Sequence, residues 1–232
     1  MPIIYLVPTP LAENTLLKAI PADVIAIIKN LQQFIVEDLR TARRFLSNLK
    51  HPGPIDQLDF KVVNEHTKDG EISSLLPFLQ ARNTGVLSEA GMPGIADPGS
   101  AIVRLAHNNK IKVVPLAGPS SIFMALMASG LNGQSFAFVG YIPVRNEERV
   151  KRLRALEQRS LKEQQTQIFI EAPYRNLQLL NDIMRCCKEE TLLTIAADIT
   201  GKAEFILTKR IKQWKNNLPD IQKTPTVFLI QA

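Results

Sequence analysis

The feature that most constrains the fold is a regular alternation, in the first half of the chain, between short apolar runs and longer stretches with helical periodicity. The apolar runs are rich in β-branched residues and cover Ile3–Val7, 34–36, 60–63, 85–87 and 112–116. Helical patterns around 23–31, 40–49, 72–79 and 100–107 follow the first four of them. Such alternation predicts a parallel sheet with helices on its faces, whose ligands lie beyond the carboxyl ends of the strands.

In the second half of the chain the predicted strands and helices no longer alternate regularly. This half offers strands at 135–143 and 166–173, a charged helix at 146–165, a helix at 176–187, and three further β-like runs at 191–199, 204–210 and 224–231. Two of these runs are separated by only a few residues around Gly201, which favours an antiparallel pair. The predicted fold class is therefore α/β with two domains: residues 1–117 with a parallel sheet, and residues 118–232 with a mixed sheet. A cleft is expected between them.

Composition excludes some functional classes and leaves others open. The 232 residues are 45% hydrophobic, with a formal charge of +6, which is compatible with an RNA partner or with a polyanionic small molecule. No apolar run approaches the roughly 18 residues of a membrane span, and the N-terminus lacks the features of a signal peptide. The adjacent Cys186 and Cys187 and the scattered histidines show no metal-ligand spacing. We expect a cytoplasmic protein without metal and without membrane association.

The loops that follow the strands are rich in glycine, proline and other small residues, which set the backbone conformation. The stretch "LSEAGMPGIADPGS" at 87–100 contains three glycines, two prolines and two carboxylates, and "PTP" at 8–10 and "AGPSS" at 117–121 occupy equivalent positions. Small residues allow a ligand to approach peptide groups closely. The phosphate-binding patterns G-x-x-x-x-G-K-[ST] and G-x-G-x-x-G are both absent. The loops fit an adenosine-bearing ligand without phosphates, although tight turns of an α/β fold would look the same.

These motifs carry a resemblance to a known family. The segments are "VPTP" at 7–10, "VEDLR" at 36–40, "LSEAGMPGIADPG" at 87–99, "VVPLAGPSSIFMALMASGL" at 113–131, "GYIP" at 140–143, "EAPYR" at 171–175 and "IAADIT" at 195–200. Together they resemble the tetrapyrrole methylase superfamily of S-adenosylmethionine-dependent methyltransferases. Within it the chain is most similar to the branch that methylates a ribose 2′-hydroxyl of small-subunit ribosomal RNA.

The resemblance implies a homodimer that binds S-adenosylmethionine in the interdomain cleft and acts on ribosomal RNA or on the small ribosomal subunit. Pro8 would border the methyl-donor end of the cofactor, Glu89 stands at the family's aspartate position, and Ser120 and Ser121 would contact the cofactor from the side. The remaining cofactor contacts that it implies are Gly91, Met92, Pro93 and Ile95 in the loop, and Ala197, Pro225 and Thr226 near the adenine.

Several positions depart from the family pattern. Leu11, Ala12 and Glu13 follow "PTP" where an Ile-Gly-Asn-like stretch is usual, Met92 replaces a threonine, and Ala197-Asp198 replaces an Arg-Glu pair. The glycine-rich loop ending in aspartate of the tetrapyrrole-methylating branch is missing. Two alternatives stay open: a methyltransferase acting on a tetrapyrrole or other small molecule, and an S-adenosylmethionine-binding protein with little catalysis.

Methyl transfer to a hydroxyl requires alignment of donor and acceptor and a group that accepts the proton. Glu37 and Asp38 follow the second strand and are the candidates for that catalytic role. The alternative is that they only pair with Arg40 and Arg43.

Other charged residues have structural and functional interpretations. Glu171 and Arg175 are spaced for an ion pair that braces the cleft, and Asp97 is expected to cap the following helix. Two basic stretches would suit phosphate contacts, but solvated helix faces look alike in sequence. They comprise Arg40, Arg43 and Arg44, and Arg145, Arg149, Lys151, Arg152, Arg154 and Arg159.

Overall fold

The computed structural model describes residues 1–232. They divide into two compact units, unit 1 from Met1 to Ser120 and unit 2 from Ser121 to Ala232. No helix in either unit combines the length and the apolarity needed to cross a membrane.

Unit 1 is a parallel sheet with helices between successive strands. Its strands are β1 (Ile3–Val7), β2 (Gln33–Val36), β3 (Asp59–Val62), β4 (Thr84–Leu87) and β5 (Lys112–Pro115). Its helices are α1 (Leu16–Ala19), α2 (Ala22–Lys29), α3 (Leu39–Asn48), α4 (Asp69–Ser73), α5 (Leu76–Ala81) and α6 (Gly99–Asn108), with a 3₁₀ turn at Ile55–Gln57. The strand order is β3-β2-β4-β1-β5, and every pairing is parallel, as the alternation predicts.

The two faces of this sheet are buried by alternate residues of each strand. Phe34 and Val36 of β2 pack into the core on one face, whereas Ile35 packs into the core on the other. Successive side chains of a strand point to opposite faces, so a sheet covered by helices on both faces needs continuous apolar runs. That requirement explains why the central strands read as unbroken hydrophobic stretches. All five strands end at the same edge of the sheet.

The prediction of one continuous helix over 72–79 is wrong. The segment forms two short helices, because α4 ends at Ser73 and α5 begins at Leu76 with Pro77 in its first turn. A proline has no N–H to donate to the preceding turn, so it starts a helix rather than continuing one. The short helices α1 and α10 (Ile211–Trp214) are also absent from the predictions.

Unit 2 is built around a mixed sheet. Its strands are β6 (Phe136–Tyr141), β7 (Thr166–Ile170), β8 (Leu192–Ala197), β9 (Phe205–Arg210) and β10 (Thr226–Gln231), in the order β6-β7-β10-β8-β9. Its other helices are α7 (Ser121–Ser129), α8 (Asn146–Glu163) and α9 (Asn176–Cys186), with a 3₁₀ turn at Pro173–Arg175. β6 and β7 are parallel and the other pairs are antiparallel, including β8 with β9 around Gly201. The predicted mixed sheet and the predicted antiparallel pair are confirmed.

Candidate functional site

A large cavity lies in unit 1, at the carboxyl ends of β1, β2 and β4. Its volume is about 730 Å³. Its wall consists of the segment that follows β1 with α1, the end of β2, one side of α3, and the end of β4 with the first residues of the next loop. The lining residues are Thr9–Asn14, Leu16–Lys18, Val36–Asp38, Thr41, Ala42, Arg44, Phe45, Asn48 and Leu87–Ala90. The cavity therefore lies where open α/β sheets place their ligands.

The loop after β4 is locked by its own hydrogen bonds. Gly91 has φ +81°, and its N–H and C=O both bond to the backbone of Thr9, at 3.1 and 2.9 Å. Gly94 has φ +87°, and its N–H donates to the carboxylate of Asp97 at 2.8 Å. Asp97 also accepts from the N–H of Gly99, the first residue of α6, at 2.7 Å. Asp97 thus accepts from the first N–H of α6, but it does so from the position before the N-cap, which is Pro98 and not Asp97. These hydrogen bonds hold the shape of the loop.

This hydrogen bonding decides which peptide groups could hold a cofactor. The peptide groups of Gly91 are committed to Thr9, so Gly91 shapes the loop instead of offering a donor. The peptide N–H and C=O of Met92 have no partner within the chain, and Met92 is half-buried. An adenosine-type ligand recognised through the backbone needs such free groups beside apolar atoms. Pro93 is buried and Ile95 is exposed at the loop tip.

The third loop is packed directly against the first. A Cβ added at Gly118 would lie 2.2 Å from Cβ and 2.4 Å from Cγ of Pro8. Only glycine permits that approach. Pro8 is buried at the end of β1, and Ser120, also buried, closes the same loop. The structure thus brings Pro8, Gly91 and the loop containing Gly118 together at one edge of the sheet.

The two predicted catalytic carboxylates occupy different environments. Burial raises the pKa of Glu37, and the negative charges of Glu89 and Asp97 raise it further, while the backbone N–H of Glu89 partly offsets both effects. Asp38 is the N-cap of α3, and its Oδ1 accepts from the backbone N–H of Thr41 at 2.7 Å. That hydrogen bond lowers the pKa of Asp38, whose side chain is exposed.

Neither carboxylate is limited to the alternative role of pairing with Arg40 and Arg43. Arg43 pairs instead with Asp56, at 3.9 Å, and its guanidinium lies 5.8 Å from the ring centroid of Phe60. Asp38 is occupied by the helix cap. Glu37 lines the cavity with a raised pKa and is the carboxylate suited to accept a proton.

The cavity is acidic although the chain is basic. Its wall carries four carboxylates, Glu13, Glu37, Asp38 and Glu89, against two cations, Lys18 and Arg44. Arg44 of α3 pairs with Glu13 of the segment after β1 at 3.5 Å, and both side chains are largely exposed. Thr9 and Glu13 of this wall were not predicted as site residues, and Arg44 was predicted only as a candidate phosphate contact. The position of "PTP" after a strand was the only signal for the first of them.

In unit 2 a second group of predicted residues meets at one end of the mixed sheet. Ala197 is the register partner of Thr226 across β8 and β10, and the N–H of Asp198 donates to the C=O of Pro225 at 2.9 Å. Glu171 follows β7, which neighbours β10 at the same end. Ser121 is the first residue of α7.

Glu171 and Arg175 form the expected ion pair, with 2.6 Å between Oε1 and Nη2. The side chain of Glu171 is fully buried, and the hydrogen bond between the two raises the pKa of Arg175. The second carboxylate oxygen of Glu171 and Nε of Arg175 have no hydrogen-bonding partner. The pair therefore braces the segment between β7 and α9.

The prediction that Arg149 of α8 contacts phosphate is wrong. Arg149 is 1% exposed and pairs with Asp182 of α9 at 2.6 Å, so it cannot contact RNA. Its Nη1 also donates to the C=O of Val144 at 2.6 Å. The other candidates on this stretch are exposed: Arg145, Lys151, Arg152, Arg154 and Arg159.

Comparisons with known proteins agree with this architecture. The family model described as Tetrapyrrole (Corrin/Porphyrin) Methylases matches residues 4–214. The chain is 32% identical to "Ribosomal RNA small subunit methyltransferase I" of Synechocystis sp. over 86% of its length and 68% of that relative. It is 30% identical to the protein of the same name from Pasteurella multocida, over 99% of its length and 79% of the relative.

A solved structure resembles the whole chain. The crystal structure of the methyltransferase CobJ superposes with a TM-score of 0.64 and covers 99% of this chain and 92% of that one. The sequence identity is 15%, so this similarity supports the fold alone.

Proposed function

The chain belongs to the tetrapyrrole methylase family of methyltransferases, and we propose that it transfers the methyl group of S-adenosylmethionine to a ribose 2′-hydroxyl of small-subunit ribosomal RNA. The relatives named for this RNA match over most of the chain. The structural observation that carries the proposal is Glu37, a carboxylate with a raised pKa on the wall of a cavity of about 730 Å³.

The residues of unit 1 fit a cofactor of this kind. The loop at 91–97 is held by hydrogen bonds of Gly91 and Asp97, lacks a phosphate-binding pattern, and leaves the peptide groups of Met92 free beside the buried Pro93. These are properties that favour an adenosine ligand without phosphates. In unit 1 we assign cofactor contacts to Pro8, Glu89, Met92, Pro93, Ile95 and Ser120, with Gly91 shaping the loop. In unit 2 we assign them to Ser121, Ala197, Pro225 and Thr226.

S-adenosylmethionine supplies an activated methyl group on a sulfonium, and the protein must align and deprotonate the acceptor. The ribose hydroxyl is a poor nucleophile, so a base within hydrogen-bonding distance accelerates the transfer. Glu37 is suited to accept that proton, because the surroundings that raise its pKa also favour its protonated form. Asp38 fixes the first turn of α3 and so positions the wall beside Glu37.

The charge of the cavity favours RNA over an acidic macrocycle. A ligand with several carboxylates would be repelled by the four carboxylates of the wall. A nucleoside is uncharged and presents hydroxyl and amino donors that carboxylates accept. The negative phosphates of RNA would then lie outside the cavity interior, where they can pair with exposed cations.

The proposal includes a cytoplasmic homodimer. Large apolar side chains are exposed on α7, where Met127 is 83% and Phe123 is 46% accessible. Exposed apolar clusters of this kind are typical of interaction surfaces. Sedimentation analysis of the wild type and of Met127→Glu tests this part, since a dimer through α7 would dissociate in the variant and a monomeric wild type would contradict it.

The decisive experiment has two stages. Calorimetric titration with S-adenosylmethionine, with ATP and NAD as controls, should show selective binding. Transfer of tritiated methyl groups to small-subunit ribosomal RNA, to small subunits and to a tetrapyrrole should then label RNA. Selective binding without transfer to any acceptor would favour a cofactor-binding protein, and transfer to the tetrapyrrole alone would favour the small-molecule alternative.

The role of Glu37 is tested within the same assay. Glu37→Gln should lower kcat strongly while leaving the affinity for S-adenosylmethionine within about threefold, because proton acceptance typically contributes about 10²–10⁴-fold. Asp38→Asn serves as the control: asparagine removes the charge but can still cap α3, and Glu37 is kept. Equal transfer rates for Glu37→Gln and the wild type would refute the assignment.

A further inference from the structure

We infer that Arg44 binds a phosphate of the RNA backbone at the mouth of the unit 1 cavity, and that Glu13 holds Arg44 in place until the substrate displaces it. This inference rests on the proposed function. It assigns substrate recognition to one residue on the wall of the same site.

The charges around the cavity limit where a phosphate can bind. Glu37 and Glu89 both line the cavity, and the charge of Glu89 raises the pKa of Glu37, so the interior repels anions. The only cations on the wall are Lys18 and Arg44. Both have exposed side chains, so a phosphate next to either would remain at the mouth while its nucleoside occupied the interior. A guanidinium matches two phosphate oxygens at once, which an ammonium cannot do.

The face that α3 presents to the cavity places Arg44 there. Asp38 fixes the start of the helix, and Thr41, Phe45 and Asn48 line the cavity. These residues are three or four positions apart and so share one side of the helix. Arg44 lies at the edge of this side. Arg43 does not line the cavity.

The ion pair between Arg44 and Glu13 is weak enough for a phosphate to replace Glu13 as the partner of Arg44. Its side chains are 66% and 81% exposed, and its closest N–O distance is 3.5 Å. Exposed ion pairs of this geometry contribute little to stability and are screened by salt. A phosphodiester offers a guanidinium two acceptor oxygens at shorter distances. Glu13 therefore keeps Arg44 oriented across the mouth without competing strongly with RNA.

The test compares five single variants in a transfer assay with small-subunit ribosomal RNA and in a binding assay with a labelled single-stranded RNA. Arg44→Gln should raise KM about three- to tenfold with kcat unchanged, and should reduce the slope of log affinity against log salt by about 0.7, the value for one lost phosphate contact. Arg44→Lys should keep the slope. Glu13→Gln should lower KM, because Arg44 is then unpaired.

Arg43→Gln is the matched control. It removes the same charge from the neighbouring position of the same helix, where Arg43 pairs with Asp56 outside the cavity wall. Its KM and its salt slope should stay close to those of the wild type. Calorimetric affinity for S-adenosylmethionine, unchanged in all variants, shows that the fold is intact.

The outcomes separate the two proposals. Equal KM and equal salt slopes for Arg44→Gln and Arg43→Gln, in an enzyme that methylates RNA, would overturn this inference alone. An effect confined to Lys18→Gln would also overturn it. Absence of RNA transfer by the wild type, with S-adenosylmethionine bound, would remove the proposed function and this inference with it.

Discussion

Replacing Gly118 with alanine tests whether the first and third loops of unit 1 are packed as closely as the structure shows. The new Cβ would lie 2.2 Å from Cβ and 2.4 Å from Cγ of Pro8, far inside van der Waals contact. Proline is a ring with a fixed φ, so it cannot rotate away as a flexible side chain would. Relief requires movement of the end of β1 or of the loop at 117–120.

The expected cost follows from this geometry. Overpacking by one methyl group in a rigid site destabilises by about 1–3 kcal/mol, and the absence of a flexible neighbour places Gly118→Ala toward the upper end, at about 2–3 kcal/mol. With an m-value of about 2 kcal/mol/M in urea, the unfolding midpoint of unit 1 falls by about 1–1.5 M. Because Pro8 is a proposed cofactor contact, the affinity for S-adenosylmethionine should weaken as well.

The assay must report on unit 1. The only tryptophan, Trp214, lies in unit 2, so its fluorescence follows unit 2. Urea unfolding followed by hydrogen exchange of the β1 and β4 amides, together with calorimetry of cofactor binding, gives the required measurements.

Gly70→Ala is the matched control. Gly70 lies in α4, and an added Cβ would meet no atom within 4 Å. Alanine there should stabilise by about 0.4–1 kcal/mol, because it reduces the freedom of the unfolded chain. Equal urea midpoints for Gly118→Ala and the wild type would refute the packing argument. A lower midpoint with full cofactor affinity would refute only the role assigned to Pro8.

Two further predictions follow from the charged residues. Arg149→Ala should destabilise unit 2 by about 3–5 kcal/mol, since it leaves Asp182 buried without its main partner; Trp214 fluorescence in urea measures this, and an unchanged midpoint would contradict it. The transfer rate should rise as the pH rises through the raised pKa of Glu37, and the rate of Glu37→Gln should not show this rise. Because the folded state favours protonated Glu37, its contribution to stability is present at low pH and is lost as pH rises through that pKa, so Glu37→Gln should be more stable than the wild type at neutral pH.

The sequence predicted the strands well because their signal is local. Buried parallel strands such as β2 and β4 are short apolar runs, and such runs need no tertiary information to be found. The break between α4 and α5 depended on one proline that the apolar periodicity concealed. The close approach of Gly118 to Pro8 could not be predicted, because it depends on how two loops distant in sequence pack together.

The burial of Arg149 could have been predicted from its spacing along α8. Arg149, Leu153 and Leu156 recur at spacings of four and three, so Arg149 belongs to the buried side of α8. The charge of the residue concealed its periodicity. Asp182, its partner, lies 33 positions away on another helix, and no local pattern in the sequence predicts that pairing.

Glu37 and Asp38 show how neighbouring carboxylates acquire different roles from their surroundings. Asp38 accepts a backbone hydrogen bond at the start of α3, which stabilises its ionised form and lowers its pKa. Glu37 is partly buried beside two other carboxylates, which disfavours its ionised form. A base must gain a proton during the reaction, so the carboxylate whose charge is disfavoured is the better acceptor. The acidic cavity that creates this property also repels polyanionic macrocycles, so one arrangement of charge accounts for both the proposed base and the proposed preference for RNA.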